Sequence, residues 1–159
     1  MTSENGSGQF GRVEEMVAAL ETRRGTCRQL LELSHAQLAH IQRGDYTGLL
    51  RLLTEKQNLL SQQDALSQRY PNTVLRQWWV ESRENLDPAW KQRCRYAMQE
   101  TEQILEQLLS HEQQCTDLLT QQRNATYDQL QTISQGSRVH AAYRDNLAPL
   151  THRHLDVDQ

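Results

Sequence analysis

The fold of this chain is decided by the stretch Asp87–Ser134, DPAWKQRCRYAMQETEQILEQLLSHEQQCTDLLTQQRNATYDQLQTIS. Asp87 is a favoured N-cap residue, and Pro88 suits the first helical position because an amide hydrogen there would have no partner. Since no Gly or Pro follows before Gly136, the stretch predicts one helix over about 88–134, about 70 Å long. From Trp90 its apolar and small side chains recur in steps of three and four, at Trp90, Cys94, Ala97, Thr101, Ile104 and Leu108. Cys115, Leu118 and Leu119 continue this stripe, and Leu105, Leu130 and Ile133 widen it. This stripe must be covered, either by other helices of this chain or by a partner.

The composition indicates a thin core. Hydrophobic residues make up 36% of the 159 residues and aromatic residues 6%, whereas globular domains are typically about 45–50% apolar with Gly included. Such a chain buries narrow seams between helices more readily than a thick core. We therefore expect an all-α fold: a long antiparallel helical hairpin or coiled-coil-like bundle, with a short third helix and a mobile C-terminal tail.

The first helix is predicted over about 12–43 and carries a nearly regular seven-residue repeat. A sustained repeat of this length implies left-handed supercoiling against a partner helix. Arg24 and Ser34 occupy seam positions, so we expect imperfect packing there. The two rows of the repeat are Val13, Leu20, Cys27, Ser34 and Ile41, and Val17, Leu31 and Leu38.

A break at Gly44 separates the first helix from the second. Gly is a favourable helix stop, and Asp45 or Thr47 is suited to cap a second helix over about 47–69. A kinked continuation of the first helix is the alternative at this point. Pro71 ends the second helix.

The third helix is expected to be short, over about 72–86, with Asn72 or Thr73 as its cap. It contains the neighbouring residues Trp78 and Trp79. Adjacent side chains on a helix point about 100° apart. We therefore expect one tryptophan to plug the end of the bundle and the other to be half-exposed.

The two ends of the chain lack apolar periodicity. Residues 1–11 are predicted to be disordered, and residues 136–159, which contain Pro149, are predicted to form a flexible tail. Between them we expect a single helical domain over 12–135.

Charge, hydropathy and cysteine usage exclude several classes of protein. A formal charge of −3 gives no basic face for nucleic acid, and no apolar run is long enough to span a membrane. The three cysteines are odd in number and lie on helical stripes, so they predict buried thiols in a reducing compartment. We therefore expect a cytoplasmic protein that does not insert into membranes.

Metal and catalytic motifs are weak. Glu32 and His35 supply one Glu-x-x-His pair, but a di-iron bundle needs two. His152 and His154 have no third ligand at a suitable spacing, and His111 is better explained as a polar residue of the seam. No phosphate loop or nucleophile motif occurs. We therefore expect no enzyme, cofactor or metal; a metal-binding bundle enzyme is the most distant alternative.

Three segments taken together resemble the FlgN family of flagellar export chaperones. Gln42–Leu60 is similar to the family's break after helix one, followed by leucines and a Glu-Lys pair ahead of another Leu-Leu. Leu118–Ala125 is similar to the family's leucine pair with an asparagine, here Asn124, further along. Tyr143 lies about twenty residues beyond Asn124, where family members carry a tyrosine in a flexible tail, although Arg144 follows it where many members have Gly.

The resemblance implies a cytoplasmic chaperone that binds the amphipathic C-terminal helices of hook–filament junction proteins. Such a chaperone prevents premature assembly of those proteins and delivers them to the type III export gate, to which Tyr143 would dock. We expect the client-binding groove on the second half of the long helix, where the Asn124 amide can hydrogen-bond a bound helix. The groove residues are Leu108, Cys115, Leu118, Leu119, Asn124 and Leu130.

The alternative function is a structural coiled-coil adaptor that homo-oligomerises, in the simplest case as a homodimer. The regular repeat of the first helix favours it. Polar residues at four seam positions disfavour it, unless they pair across an interface. These residues are Arg24, Ser34, Lys56 and His111.

Overall fold

The structure is a computed structural model that describes the backbone of residues 4–141 and the side chains of residues 11–134. Those residues form four α-helices and no strand, which confirms the all-α prediction. The helices are α1 (Glu4–Arg43), α2 (Tyr46–Arg69), α3 (Asn72–Ser82) and α4 (Pro88–Ala141).

A tight turn joins α1 to α2. Gly44 has a φ of 69°, a left-handed conformation that costs a residue with a Cβ about 1–2 kcal/mol, and it ends α1 as the sequence predicts. Asp45 then caps α2, because its Oδ1 accepts a hydrogen bond from the Gly48 amide at 3.0 Å. Its Oδ2 lies 2.8 Å from Nδ1 of His40. The two helices are therefore separate, rather than one kinked helix.

The start of α3 differs from the expectation. Pro71 occupies the N-cap position with φ −57° and ψ 147°, and no side chain makes a cap hydrogen bond there. Asn72 and Thr73 both lie inside the helix, so their prediction as caps is wrong. The proline ring fixes φ near the value that this extended cap conformation needs. The helix ends at Ser82 rather than near 86. The Arg83 amide makes its last helical hydrogen bond, to the Trp79 carbonyl, and the chain then turns, with the Asn85 amide donating to the Ser82 carbonyl.

In the unit Met1–Thr116, α4 runs parallel to α1. Glu21 of α1 pairs with Arg93, with 2.8 Å between its Oε1 and the Arg93 Nε. One and two turns further along α1, Arg24 and Arg28 both pair with Glu100. Residue numbers therefore rise together in the two helices.

The second helix runs the opposite way. Lys56 of α2 contacts Gln37 of α1, whereas Tyr70, at the far end of α2, donates to Glu15 near the start of α1. Helices α1 and α2 therefore form an antiparallel hairpin. The parallel α4 completes a coiled-coil-like bundle with it.

The apolar core is concentrated where α1 and α4 begin. Leu75 and Trp78 of α3 are buried against these two helices, and Trp78 is 7% exposed while Trp79 is half-buried. The two tryptophans therefore divide their roles as the sequence predicts. Buried members of this cluster are Met16, Val17, Ala19, Leu20, Leu75, Trp78, Cys94 and Ala97.

The seven-residue repeat of α1 faces the inside of the molecule. Val17, Ser34 and Ile41 are essentially inaccessible, at 1%, 0% and 0%. Arg24, at a seam position, lies at the edge with its Nη1 3.5 Å from Oε2 of Glu100 and its guanidinium 5.0 Å from the centre of the Tyr96 ring. The α1 repeat therefore packs against this chain's own helices.

The ends of the helical region differ from the predicted bounds. Helix α1 begins at Glu4, within the segment expected to be disordered, and α4 continues through Gly136 to Ala141. Gly inside a helix costs about 1 kcal/mol but does not forbid the conformation.

The chain also divides into two compact units, Met1–Thr116 and Asp117–Gln159, rather than one domain over 12–135. The tail expected at 136–159 lies outside the described residues beyond Ala141. None of the four helices is long and apolar enough, over the residues described, to cross a membrane.

Candidate protein-binding surface

A group of polar side chains, buried except for the partly exposed Glu112, links three helices of the first unit. Lys56 of α2 donates to Gln37 of α1 at 2.8 Å and to the Glu112 carboxylate of α4. Glu112 also accepts from the Ser34 hydroxyl at 2.7 Å. We call these four residues the polar layer. The polar layer provides hydrogen-bond partners for Ser34 and Lys56, two of the polar seam residues that disfavour a well-packed coiled coil.

The polar layer controls the ionisation of Glu112. Burial raises the pKa of this carboxyl, but the hydrogen bonds from Lys56 and Ser34 and the positive charge of Lys56 outweigh it, and the net shift of the pKa is downward. The carboxylate therefore stays ionised beside the ammonium of Lys56 at neutral pH.

Two histidines stack next to the polar layer. The rings of His35 and His111 have centroids 4.1 Å apart and are tilted by 37°. Nδ1 of His111 is buried without a hydrogen-bond partner. Glu32 precedes His35 on α1 as the Glu-x-x-His pair, yet the described side chains of residues 11–134 contain no group of three or more His, Cys, Asp or Glu arranged to hold a metal.

The three cysteines are core residues. Cys27, Cys94 and Cys115 are all free thiols with 4%, 0% and 1% exposure. Burial is the main cause that raises the pKa of each thiol, to about 11 for Cys94. Such thiols are poor nucleophiles and suit packing rather than catalysis.

An open cleft of about 870 Å³ lies beside α3 in the first unit. Trp78, Leu86 and Trp90 provide its apolar walls, and Arg12 and Glu81 stand among its polar lining residues. Ser82, Asn85 and Asp87 are also among its lining residues.

Two of the predicted groove residues belong to the first unit. Cys115 is 1% exposed, so a client helix cannot reach it in this structure, and we exclude it from the surface proposed below. Leu108 is half-buried on the covered face of α4. Both residues continue the buried row of Cys94, Ala97 and Ile104.

The other four predicted groove residues belong to the second unit. Leu118 and Leu119 are half-buried, whereas Asn124 is exposed. Leu130 is 46% exposed, which is high for a leucine at a stripe position. The face of α4 that carries Leu130 is thus accessible to a partner.

Two exposed apolar residues next to Leu130 were not among the predicted groove residues. Tyr127 is 49% exposed and Ile133 is 63% exposed. Each lies three residues from Leu130 and therefore on the same side of the helix. The same spacing is visible in the sequence, but only the exposed areas distinguish these residues from a core stripe. We call Tyr127, Leu130 and Ile133 the α4 patch.

The predicted export-gate residue, Tyr143, lies outside the described residues. Comparisons of the chain with protein-family models, with curated proteins and with solved structures gave no match.

Proposed function

We propose that this protein is an export chaperone that captures an amphipathic helix of a client protein on the α4 patch. The observation that carries the proposal is the exposure of Tyr127, Leu130 and Ile133 together, at 49%, 46% and 63%. A row of apolar side chains at three-residue spacing is the feature to which the apolar face of another helix binds.

The chemistry around the α4 patch supports a reversible complex. Thr126, Gln129 and Asn124 interleave with the apolar residues and are exposed. Side chains of this kind form hydrogen bonds at the rim of an interface without a large desolvation cost. A chaperone must release its client, so modest affinity suits the task.

The resemblance to the FlgN family supplies the identity of the client class. The similar segments Gln42–Leu60 and Leu118–Ala125 favour clients of the hook–filament junction type, whose C-terminal helices are amphipathic. On this proposal the protein acts in the cytoplasm, prevents premature assembly of those helices, and brings them to the type III export gate with Tyr143 as the docking residue.

The experiment is co-purification of the protein with an intact junction subunit from the same organism, by size-exclusion chromatography with light scattering. We expect a complex that the double substitution Leu130→Asp and Ile133→Asp disrupts. Leu109→Asp serves as the control, because Leu109 is also exposed on α4, at 71%, but lies in the first unit. A complex that survives the double substitution would contradict the α4 patch as the binding surface.

A further inference from the structure

The cleft of about 870 Å³ beside α3 is formed by three segments of the chain. Its lining residues come from the start of α1, from one side of α3, and from the connection 83–87 together with the first turn of α4. Its volume is typical of sites for small ligands, which measure about 300–1,000 Å³. We call this site the α3 cleft.

The α3 cleft has an apolar wall. Trp78 is 7% exposed, and Leu86 and Trp90 are half-buried. Helix α3 adds Val74, which is 41% exposed and lies one turn before Trp78 on the same side of the helix. The wall therefore offers aromatic and aliphatic surface to the apolar part of a ligand.

Two opposite charges line the same cleft without pairing. The guanidinium of Arg12 and the carboxylate of Asp87 both belong to its lining, and both residues are exposed. Neither residue forms an ion pair with any other residue that the structure describes. Their charged atoms are therefore more than 4.0 Å apart. A cation and an anion held apart in this way can each bind the oppositely charged end of one ligand.

The other charged groups near the cleft keep these two roles distinct. Glu81 adds a second carboxylate, which accepts a hydrogen bond from Gln77 at 3.1 Å. Arg93 lies 4.8 Å from the centre of the Trp90 ring, but it pairs with Glu21. Among the described lining residues, Arg12 is thus the cation available to a ligand anion, and the carboxylates are available to a ligand cation.

We propose that the α3 cleft binds a short apolar peptide with free ends. The terminal carboxylate of the peptide contacts the Arg12 guanidinium, its terminal ammonium contacts the Asp87 carboxylate, and its side chains pack on the apolar wall. The ends of a tripeptide are up to about 10 Å apart, which suits two protein charges that are too far apart to pair. The α3 cleft is separate from the α4 patch, so this inference does not rest on the proposed function.

The first test is an NMR titration of the full ¹⁵N-labelled chain with the tripeptide Leu-Leu-Leu. The chain contains three tryptophans, and each has one indole N–H group. We expect saturable shifts of the Trp78 and Trp90 indole signals and a much smaller shift of the Trp79 signal, because Trp79 does not line the cleft. Equal shifts of all three signals, or no shift up to about 10 mM peptide, would overturn the proposal.

Peptides with altered ends or length test the chemistry of the ligand. Acetylation removes the ammonium and amidation removes the carboxylate, and each change should weaken binding about threefold, as expected for contacts between exposed charges. Free leucine has both charges but only one side chain, so it should bind at least about tenfold more weakly. Binding of the blocked peptides or of leucine as tight as that of Leu-Leu-Leu would contradict the assignment.

Substitutions in the cleft assign each charge to its partner. Arg12→Gln should bind the free and the amidated peptide equally, whereas Asp87→Asn should bind the free and the acetylated peptide equally. Asn is also a favoured N-cap residue, so the second substitution preserves the start of α4. Arg83→Gln and Glu84→Gln are the matched controls, because both residues are exposed in the same connection but do not line the cleft.

We expect the two control variants to discriminate between free and blocked peptides as the wild type does. Circular dichroism establishes that all four variants are folded. If Arg12→Gln and Asp87→Asn also discriminate as the wild type does, these two residues do not bind the peptide ends and the proposal is wrong.

Discussion

Lys56 of α2 and Glu112 of α4 form an ion pair inside the bundle, with Lys56 only 8% exposed. Gln37 and Ser34 of α1 hydrogen-bond to the two members of this pair. Each helix therefore contributes at least one group, and sliding one helix past another by a turn would leave a charge unpaired. The polar layer thus fixes the alignment of three helices whose apolar stripes alone would tolerate several registers.

Substituting Glu112→Gln should destabilise the protein. The change leaves the ammonium of Lys56 buried without a counter-charge, and we expect a loss of about 1–3 kcal/mol in the free energy of unfolding. This range is below that for a fully buried pair because the Glu112 side chain is 38% exposed and solvent screens part of the interaction. Urea denaturation at pH 7 measures it.

The double substitution Lys56→Met with Glu112→Gln is the control for that experiment. Met keeps the length of the lysine stem and removes the buried charge, so the double variant should be more stable than Glu112→Gln alone. Equal stability of the single and double variants would mean that an unpaired Lys56 ammonium does not destabilise the fold.

The same pair predicts a dependence of stability on acid. The pKa of Glu112 is lowered in the folded protein from its ordinary value of 4.5. A carboxyl with a lowered pKa stabilises the fold above its unfolded pKa, and this contribution is lost as the pH falls through the folded pKa. We therefore expect the difference in unfolding free energy between wild type and Glu112→Gln to be constant from about pH 7 to 5 and to shrink below about pH 4.5. A difference that grows with acidification would contradict this arrangement.

Substitution by alanine should lower the stability of the protein at Gly44, in the turn after α1, and raise it at Gly25, inside α1. Gly44→Ala places a Cβ on a residue with φ 69°, and it should cost about 1 kcal/mol. Gly25→Ala lies inside α1, where an added Cβ meets nothing within 4 Å, and it should stabilise by about 0.5–1 kcal/mol. Thermal unfolding of the two variants and of the wild type measures whether each substitution lowers or raises the stability. Destabilisation by Gly25→Ala would show that α1 is not helical at that position.

The three cysteines should be unreactive until the protein unfolds. With a pKa of about 11 for Cys94, roughly one Cys94 thiol in a thousand is ionised at pH 8. Burial raises the pKa of the Cys27 and Cys115 thiols too, and it blocks access to all three. We expect iodoacetamide to modify none of Cys27, Cys94 and Cys115 in native buffer within an hour and all three in urea. Rapid modification of one cysteine in native buffer would mean that its helix opens locally.

The sequence predicts the helices well because their signals are local. The turn at Gly44, the cap at Asp45 and the start of α4 at Pro88 each follow from the chemistry of one or two residues. The division of roles between Trp78 and Trp79 follows from the angle between neighbours on a helix.

Features that depend on contacts between distant residues could not be predicted. The partners of Lys56 and Ser34 lie on other helices, so the polar layer is not visible as a motif. Cys115 and Leu130 have the same stripe spacing in sequence, yet one is buried and the other exposed. A stripe specifies which side of a helix is apolar, but not whether anything covers it.

The most direct test of the proposed function is a calorimetric titration of the protein with peptides of the C-terminal helices of its organism's junction subunits. The C-terminal helix of flagellin serves as the control peptide. We predict saturable binding of a junction peptide with a negative heat-capacity change, the sign of buried apolar surface, and a loss of at least about tenfold in affinity on Leu130→Asp. If no junction peptide binds, or if Leu130→Asp binds as tightly as wild type, the α4 patch is not a client-binding surface.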